Sequence, residues 1–125
     1  MTTQTDPTFV IVGAGGISRS YAQAFQQGLP YQLVGAADIR IESAREVAAM
    51  VDGKAYDDVD RMVSDLSPTA AIVCTPPSTH PDVCIRLMEQ GVHVLCEKPL
   101  AISTEEAIRM ASTAERCHVV FSMGS

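Results

Sequence analysis

The chain is built from short apolar runs that lack two-residue alternation, and each run is followed by a helical pattern. Phe9-Val10-Ile11-Val12, Leu33-Val34-Gly35-Ala36-Ala37, Ala70-Ala71-Ile72-Val73-Cys74 and Val92-His93-Val94-Leu95-Cys96 are such runs. A strand apolar on both faces must be covered on both faces, which indicates a parallel sheet between two layers of helices. The expected class is therefore α/β: a doubly wound parallel sheet of the Rossmann type in three α/β/α layers.

The helices are marked by their ends. The first runs from Ile17 through Gln27, and Gly28 followed by Pro30 stops it. Ile41, Ala44, Val47, Ala48 and Val51 form a 3.6-residue stripe that Gly53 ends. Ala55-Tyr56 fits a short third strand. Asp57 and Asp58 both offer an N-cap for a short helix to about Asp65. A helix from Pro81 to Gln90 stops at Gly91. Ser103 with Glu106 spells a capping box for a helix to about Arg116. His118-Val119-Val120-Phe121 reads as a last strand. Residues 1–7 read as a flexible N-terminal tail and 8–125 as one Rossmann-type domain.

Composition narrows the partners. The 125 residues carry a formal net charge of −6. An acidic surface repels phosphate backbones, so nucleic acid is not an expected partner. No apolar run reaches the roughly 18–20 residues of a membrane span, and the polar N-terminus has no signal-peptide pattern. Cys74, Cys84, Cys96 and Cys117 form no C-x-x-C pair, so no metal site is expected. They read as reduced core cysteines in a cytoplasmic protein.

The chemistry-bearing residues fall after the apolar runs. Gly13-Ala14-Gly15-Gly16-Ile17-Ser18 has the G-x-G-x-x-G positions with Ser at the third site. Gly13 allows a tight turn, and Gly15 lacks a side chain where the backbone must approach a pyrophosphate. The helix-start N–H groups near Gly16 and Ile17 face the phosphates. Asp38 ends the second run. A carboxylate there accepts both ribose hydroxyls of an adenosine and opposes a 2′-phosphate, which favours NAD over NADP. Arg40 leaves this open, because it could pair with a 2′-phosphate or lie over the adenine. Two more loops follow strands: Thr75-Pro76-Pro77-Ser78-Thr79-His80 and Glu97-Lys98-Pro99. Read alone, His80 is a helix N-cap and Glu97–Lys98 a solvated ion pair. Beside a dinucleotide turn, Lys98 can shuttle a proton and Glu97 can orient it.

Together the glycine turn, Asp38, Thr75-Pro76-Pro77-Ser78-Thr79-His80 and Glu97-Lys98-Pro99 resemble the N-terminal domain of the family named for glucose–fructose oxidoreductase, inositol dehydrogenase and MocA. The resemblance runs from about Thr8 to Phe121. It implies an NAD(P)-dependent oxidoreductase acting on a sugar, cyclitol or related polyol. Gly13, Gly15, Gly16 and Ile17 would hold the pyrophosphate, with Asp38 on the adenosine ribose and Arg40 near the adenine. Thr75, Pro76 and His80 would line the cofactor, and Glu97 would lie near the nicotinamide ribose. Lys98 would contact the substrate and the cofactor as the catalytic residue, with a cis bond often preceding Pro99. Family members continue into a second α/β domain that forms the substrate pocket, so this chain is expected to be the cofactor domain of a longer protein. A homo-oligomer fits the resemblance as well. Two other readings stand beside it: a dinucleotide-sensing module without catalysis, and a methyltransferase, in which the later loops have no role.

Overall fold

The computed structural model describes residues 6–97 and 103–123. The expectations for residues 1–5, for Lys98 and for the bond before Pro99 lie outside them. The element order is β1 (Thr8–Val12), α1 (Gly16–Gln26), β2 (Gln32–Ala37), α2 (Ile41–Met50), β3 (Lys54–Tyr56), α3 (Val59–Leu66), β4 (Ala70–Val73), a 3₁₀ turn (Pro77–Thr79), α4 (His80–Glu89), β5 (His93–Cys96), α5 (Thr104–Cys117) and β6 (Phe121–Met123). The strands form one sheet in the order β3-β2-β1-β4-β5-β6, and every pair is parallel. Order reverses between β1 and β4, the switch point at which such sheets open a crevice. This is the doubly wound α/β architecture that the apolar runs predict.

Both faces of the central strands are buried, which explains the missing alternation. Val10, Val12, Val73 and Val94 pack with Met62, Leu87 and Met110 from α3, α4 and α5. Ile11, Ala36 and Ile72 pack on the other side with Ala22, Val47 and Ala48 from α1 and α2. No helix among the described residues is long and apolar enough to cross a membrane.

Register carries the fold into function. Val12 pairs with Ala37 on one side and Val73 on the other. Ala37 pairs with Tyr56, and Val73 with Cys96. The strand ends therefore lie in one row, and the next residues, Asp57, Asp38, Gly13, Cys74 and Glu97, leave the sheet side by side.

Two element ends depart from the sequence reading. His118 does not begin a strand. It takes the left-handed conformation (φ 57°) that closes α5, and Val119 donates back to the Ala114 carbonyl. The Val120 N–H is held by His93 Nδ1, so β6 begins only at Phe121. At the end of α2 the left-handed residue is Asp52 (φ 58°), not Gly53. Gly53 is needed for space: a Cβ there would sit 2.9 Å from the Val34 carbonyl oxygen. For α3 the sequence offers two caps, and Asp58 takes the position, accepting from the Arg61 N–H. Asp57 stays at the row of strand ends. Asp58→Ala should therefore cost about 1 kcal/mol in urea unfolding, whereas Asp57→Ala should stay within about 0.5 kcal/mol.

Candidate functional site

The row of strand ends is fixed by backbone hydrogen bonds that continue one residue past the strands. Gly13 N–H donates to the Ala37 carbonyl at 2.8 Å and Asp38 N–H to Tyr56 at 3.0 Å. Cys74 N–H donates to Val12 at 2.7 Å and Glu97 N–H to Val73 at 2.9 Å. Each loop thus starts from a position set by the neighbouring strand. Above the row lies a cleft of about 730 Å³. Gly13, Gly15, Ile17, Asp38, Arg40, Thr75, Pro76, His80 and Glu97 all line it. Of the expected cofactor residues, Gly16 stands in the first turn of α1, exposed and outside this lining, and Lys98 is outside the described residues.

The glycine turn is shaped for a ligand with bulk. Gly13 has φ +94°, and a Cβ on it would lie 2.8 Å from the Cys74 carbonyl carbon and the Thr75 nitrogen. Only glycine lets the turn pass so close to the end of β4. Gly15 and Gly16 differ: a Cβ on either would meet nothing within 4 Å. Empty space lies beside the backbone there, at the start of α1. Gly15 is the N-cap and has no side chain to satisfy the first-turn N–H groups of Gly16 and Ile17. These donors and the helix dipole suit an anion. Ser18, where a third glycine is usual, is fully buried, and its hydroxyl donates to the Gly15 carbonyl. The departure from glycine is satisfied internally.

Asp38 joins two loops. Oδ2 accepts from the Ala14 N–H and Oδ1 from the Arg40 N–H, both at 2.8 Å. Each oxygen keeps a further lone-pair direction, so the carboxylate can still accept from hydroxyls in the cleft. Beside it stand two residues the sequence reading did not place at the site. Ile39 is 93% exposed on the cleft rim. Asp57 brings a second carboxylate to the same end. Their proximity follows from the β2–β3 register, which no local motif encodes.

The loop after β4 is held by its own side chains. Thr79 Oγ1 lies 2.6 Å from both the Pro76 carbonyl and Thr75 Oγ1. A hydroxyl has one proton, so Thr79 donates to the carbonyl and accepts from Thr75. His80 is the first residue of α4 rather than its cap, and it is only 1% exposed. Its Nε2 lies 2.8 Å from the Thr75 carbonyl, which can only accept, so Nε2 carries the proton. Nδ1 is then a buried acceptor with no partner among the described residues.

At the far end, Glu97 Oε2 accepts from the Tyr21 hydroxyl. Burial, then the Glu97 and Cys96 charges, push the Cys74 thiol up to about 12. That thiol is therefore protonated and unreactive at neutral pH. Tyr21 is likewise held above its ordinary value, first by burial and then by Glu97. The sequence reading missed Tyr21, because an aromatic residue on the helical stripe of α1 reads as core.

Comparison with known proteins agrees with this geometry. The family model described as oxidoreductase family, NAD-binding Rossmann fold, matches residues 8–125. Glucose-6-phosphate 3-dehydrogenase of Bacillus subtilis is 40% identical over 114 residues, which is 91% of this chain and 32% of that protein. The solved UDP-N-acetylglucosamine 3-dehydrogenase of Acidithiobacillus ferrooxidans superposes with a TM-score of 0.86 at 34% identity, covering 97% of this chain and 39% of its own. The WlbA dehydrogenase of Bordetella pertussis, solved with NADH and UDP-GlcNAcA, gives a TM-score of 0.89 at 26% identity, covering 96% and 37%. The chain spans about a third of the length of the curated relatives it matches. With its model matched from Thr8 to the last residue, the chain belongs to the glucose–fructose oxidoreductase, inositol dehydrogenase and MocA family.

Proposed function

We propose that this domain binds NAD in the cleft and serves a dehydrogenase acting on a sugar, cyclitol or related polyol. The observation that carries the reading is Asp38: a carboxylate anchored at the end of β2 by two backbone N–H groups, in one cleft with an open glycine turn. The residues fit the cofactor. The space beside Gly15 and Gly16 takes a pyrophosphate, with the N–H groups of Gly16 and Ile17 as donors and Gly13 permitting the turn. Asp38 accepts from the adenosine ribose, and its charge opposes the additional phosphate of NADP. Arg40 lies at the same end, and Ile39 gives the rim an apolar wall. Thr75, Pro76 and His80 line the middle, where His80 Nδ1 offers a buried acceptor. Glu97 is assigned to the nicotinamide ribose.

The nicotinamide, when bound, supplies hydride transfer to or from a carbinol carbon. The protein has to handle the matching hydroxyl proton. We assign that task to Lys98 Nζ, which takes the proton as the alcohol is oxidised and returns it in the reverse direction. The assignment rests on the Glu97-Lys98-Pro99 motif. Ile17, Pro77 and Val83 give this part of the cleft an apolar lining. The named relatives act on phosphorylated or nucleotide-linked sugars and on inositols, which supports a polyhydroxylated substrate. We assign the remaining substrate contacts to a further domain, since the relatives are about three times as long. The four cysteines are free, which fits a reducing compartment, and we place the protein in the cytoplasm.

Calorimetric titration tests the binding claim. NAD should bind more tightly than NADP, and Asp38→Ala should weaken NAD by about 1.5–3 kcal/mol, the scale of hydrogen bonds to a charged group. Tighter binding of NADP would overturn the role of Asp38, and preferential binding of S-adenosylmethionine would overturn the cofactor. In the full-length protein, Lys98→Ala should lower kcat by about 10²–10⁴ with little change in NAD affinity. Equal losses in both would reduce Lys98 to a cofactor contact.

A further inference from the structure

One part-buried polar contact at the cleft is not explained by cofactor contacts alone. Tyr21 stands on the second turn of α1, with its ring packed against the cluster that holds Ile11, Ala22, Cys74 and Leu95. For packing, phenylalanine would serve as well. The hydroxyl instead reaches the loop after β5 and donates to Glu97 Oε2. The bond spans 76 positions of sequence and ties the helix that begins at the glycine turn to the loop at the opposite end of the cleft. Tyr21 itself does not line the cleft, whereas Glu97 does. Among the described residues nothing donates to Glu97 Oε1.

Resting on the NAD reading above, we propose that Tyr21 is a positioning residue. It clamps one oxygen of Glu97 so that the other is presented to the ribose on the nicotinamide side. A glutamate side chain left free loses rotamer freedom when a ligand fixes it. A phenol that fixes it beforehand removes that cost from binding. The clamp holds across the working pH range, because burial and the Glu97 charge keep the phenol protonated well past its ordinary value. Tyr21 acts through Glu97 and touches neither cofactor nor substrate.

The test compares three ligands in calorimetric titrations of the full-length protein. ADP lacks the second ribose, ADP-ribose carries it, and NAD adds the nicotinamide. Tyr21→Phe keeps the ring and removes the clamp. NAD and ADP-ribose should both weaken by about threefold to tenfold, the scale of one hydrogen bond, while ADP stays within about twofold. Unchanged ADP binding also shows that the glycine turn is folded in the variant. In a Glu97→Ala background, Tyr21→Phe should have no further effect on ADP-ribose. Equal weakening of all three ligands would make Tyr21 a structural support of the whole turn and overturn the proposal. So would unchanged ADP-ribose binding, or an undiminished Tyr21 effect without Glu97. Wild-type protein that binds neither NAD nor ADP would remove the NAD reading itself, and the clamp with it.

Discussion

The site depends on hydrogen bonds that the sheet makes one residue beyond its strands. Gly13, Asp38, Cys74 and Glu97 each give their N–H to the last carbonyl of a neighbouring strand. Buried backbone donors need partners, and here those partners also determine where each loop leaves the sheet. The turn that would take phosphates, the acid that would take a ribose and the loop that carries Glu97 are thus spaced by strand separation. Asp38 adds a second tie by holding Ala14 and Arg40 through its two oxygens. The walls of the cleft thus begin as continuations of the ladder.

Two devices shape what enters it. Gly13 is a steric requirement: the turn passes so close to β4 that a methyl group would collide with backbone. Gly15 and Gly16 act differently, leaving space that nothing among the described residues fills. A helix start with no capping side chain and an open flank leaves donors for an incoming anion. The same economy holds at His80, where one ring nitrogen fixes the loop and the other faces no donor among the described residues.

Most of this architecture was legible in the sequence. The glycine turn, Asp38 and the loops after β4 and β5 are local signals, and each sits where an apolar run ends. What was not legible is long-range. Asp57 reaches the cleft through the β2–β3 register. Tyr21 meets Glu97 across 76 positions of sequence, and its helix pattern gives no sign of a polar task. Boundaries failed where two residues could play one role. Asp52 rather than Gly53 takes the left-handed turn, and His118 closes α5 where its apolar neighbours suggest a strand. In both cases the helix end was settled by backbone bonding, which propensity does not report.

The central claim is that one end of this sheet receives the dinucleotide, with its pyrophosphate on the open start of α1. Amide chemical shifts of ¹⁵N-labelled protein, followed as NAD is added, test it most directly. The account predicts that the largest shifts fall on Gly15, Gly16 and Ile17, with further shifts at Asp38, Arg40 and Glu97. Shifts confined to the opposite end of the sheet, in the hollow between Phe25, Tyr31 and Asp52, would contradict it.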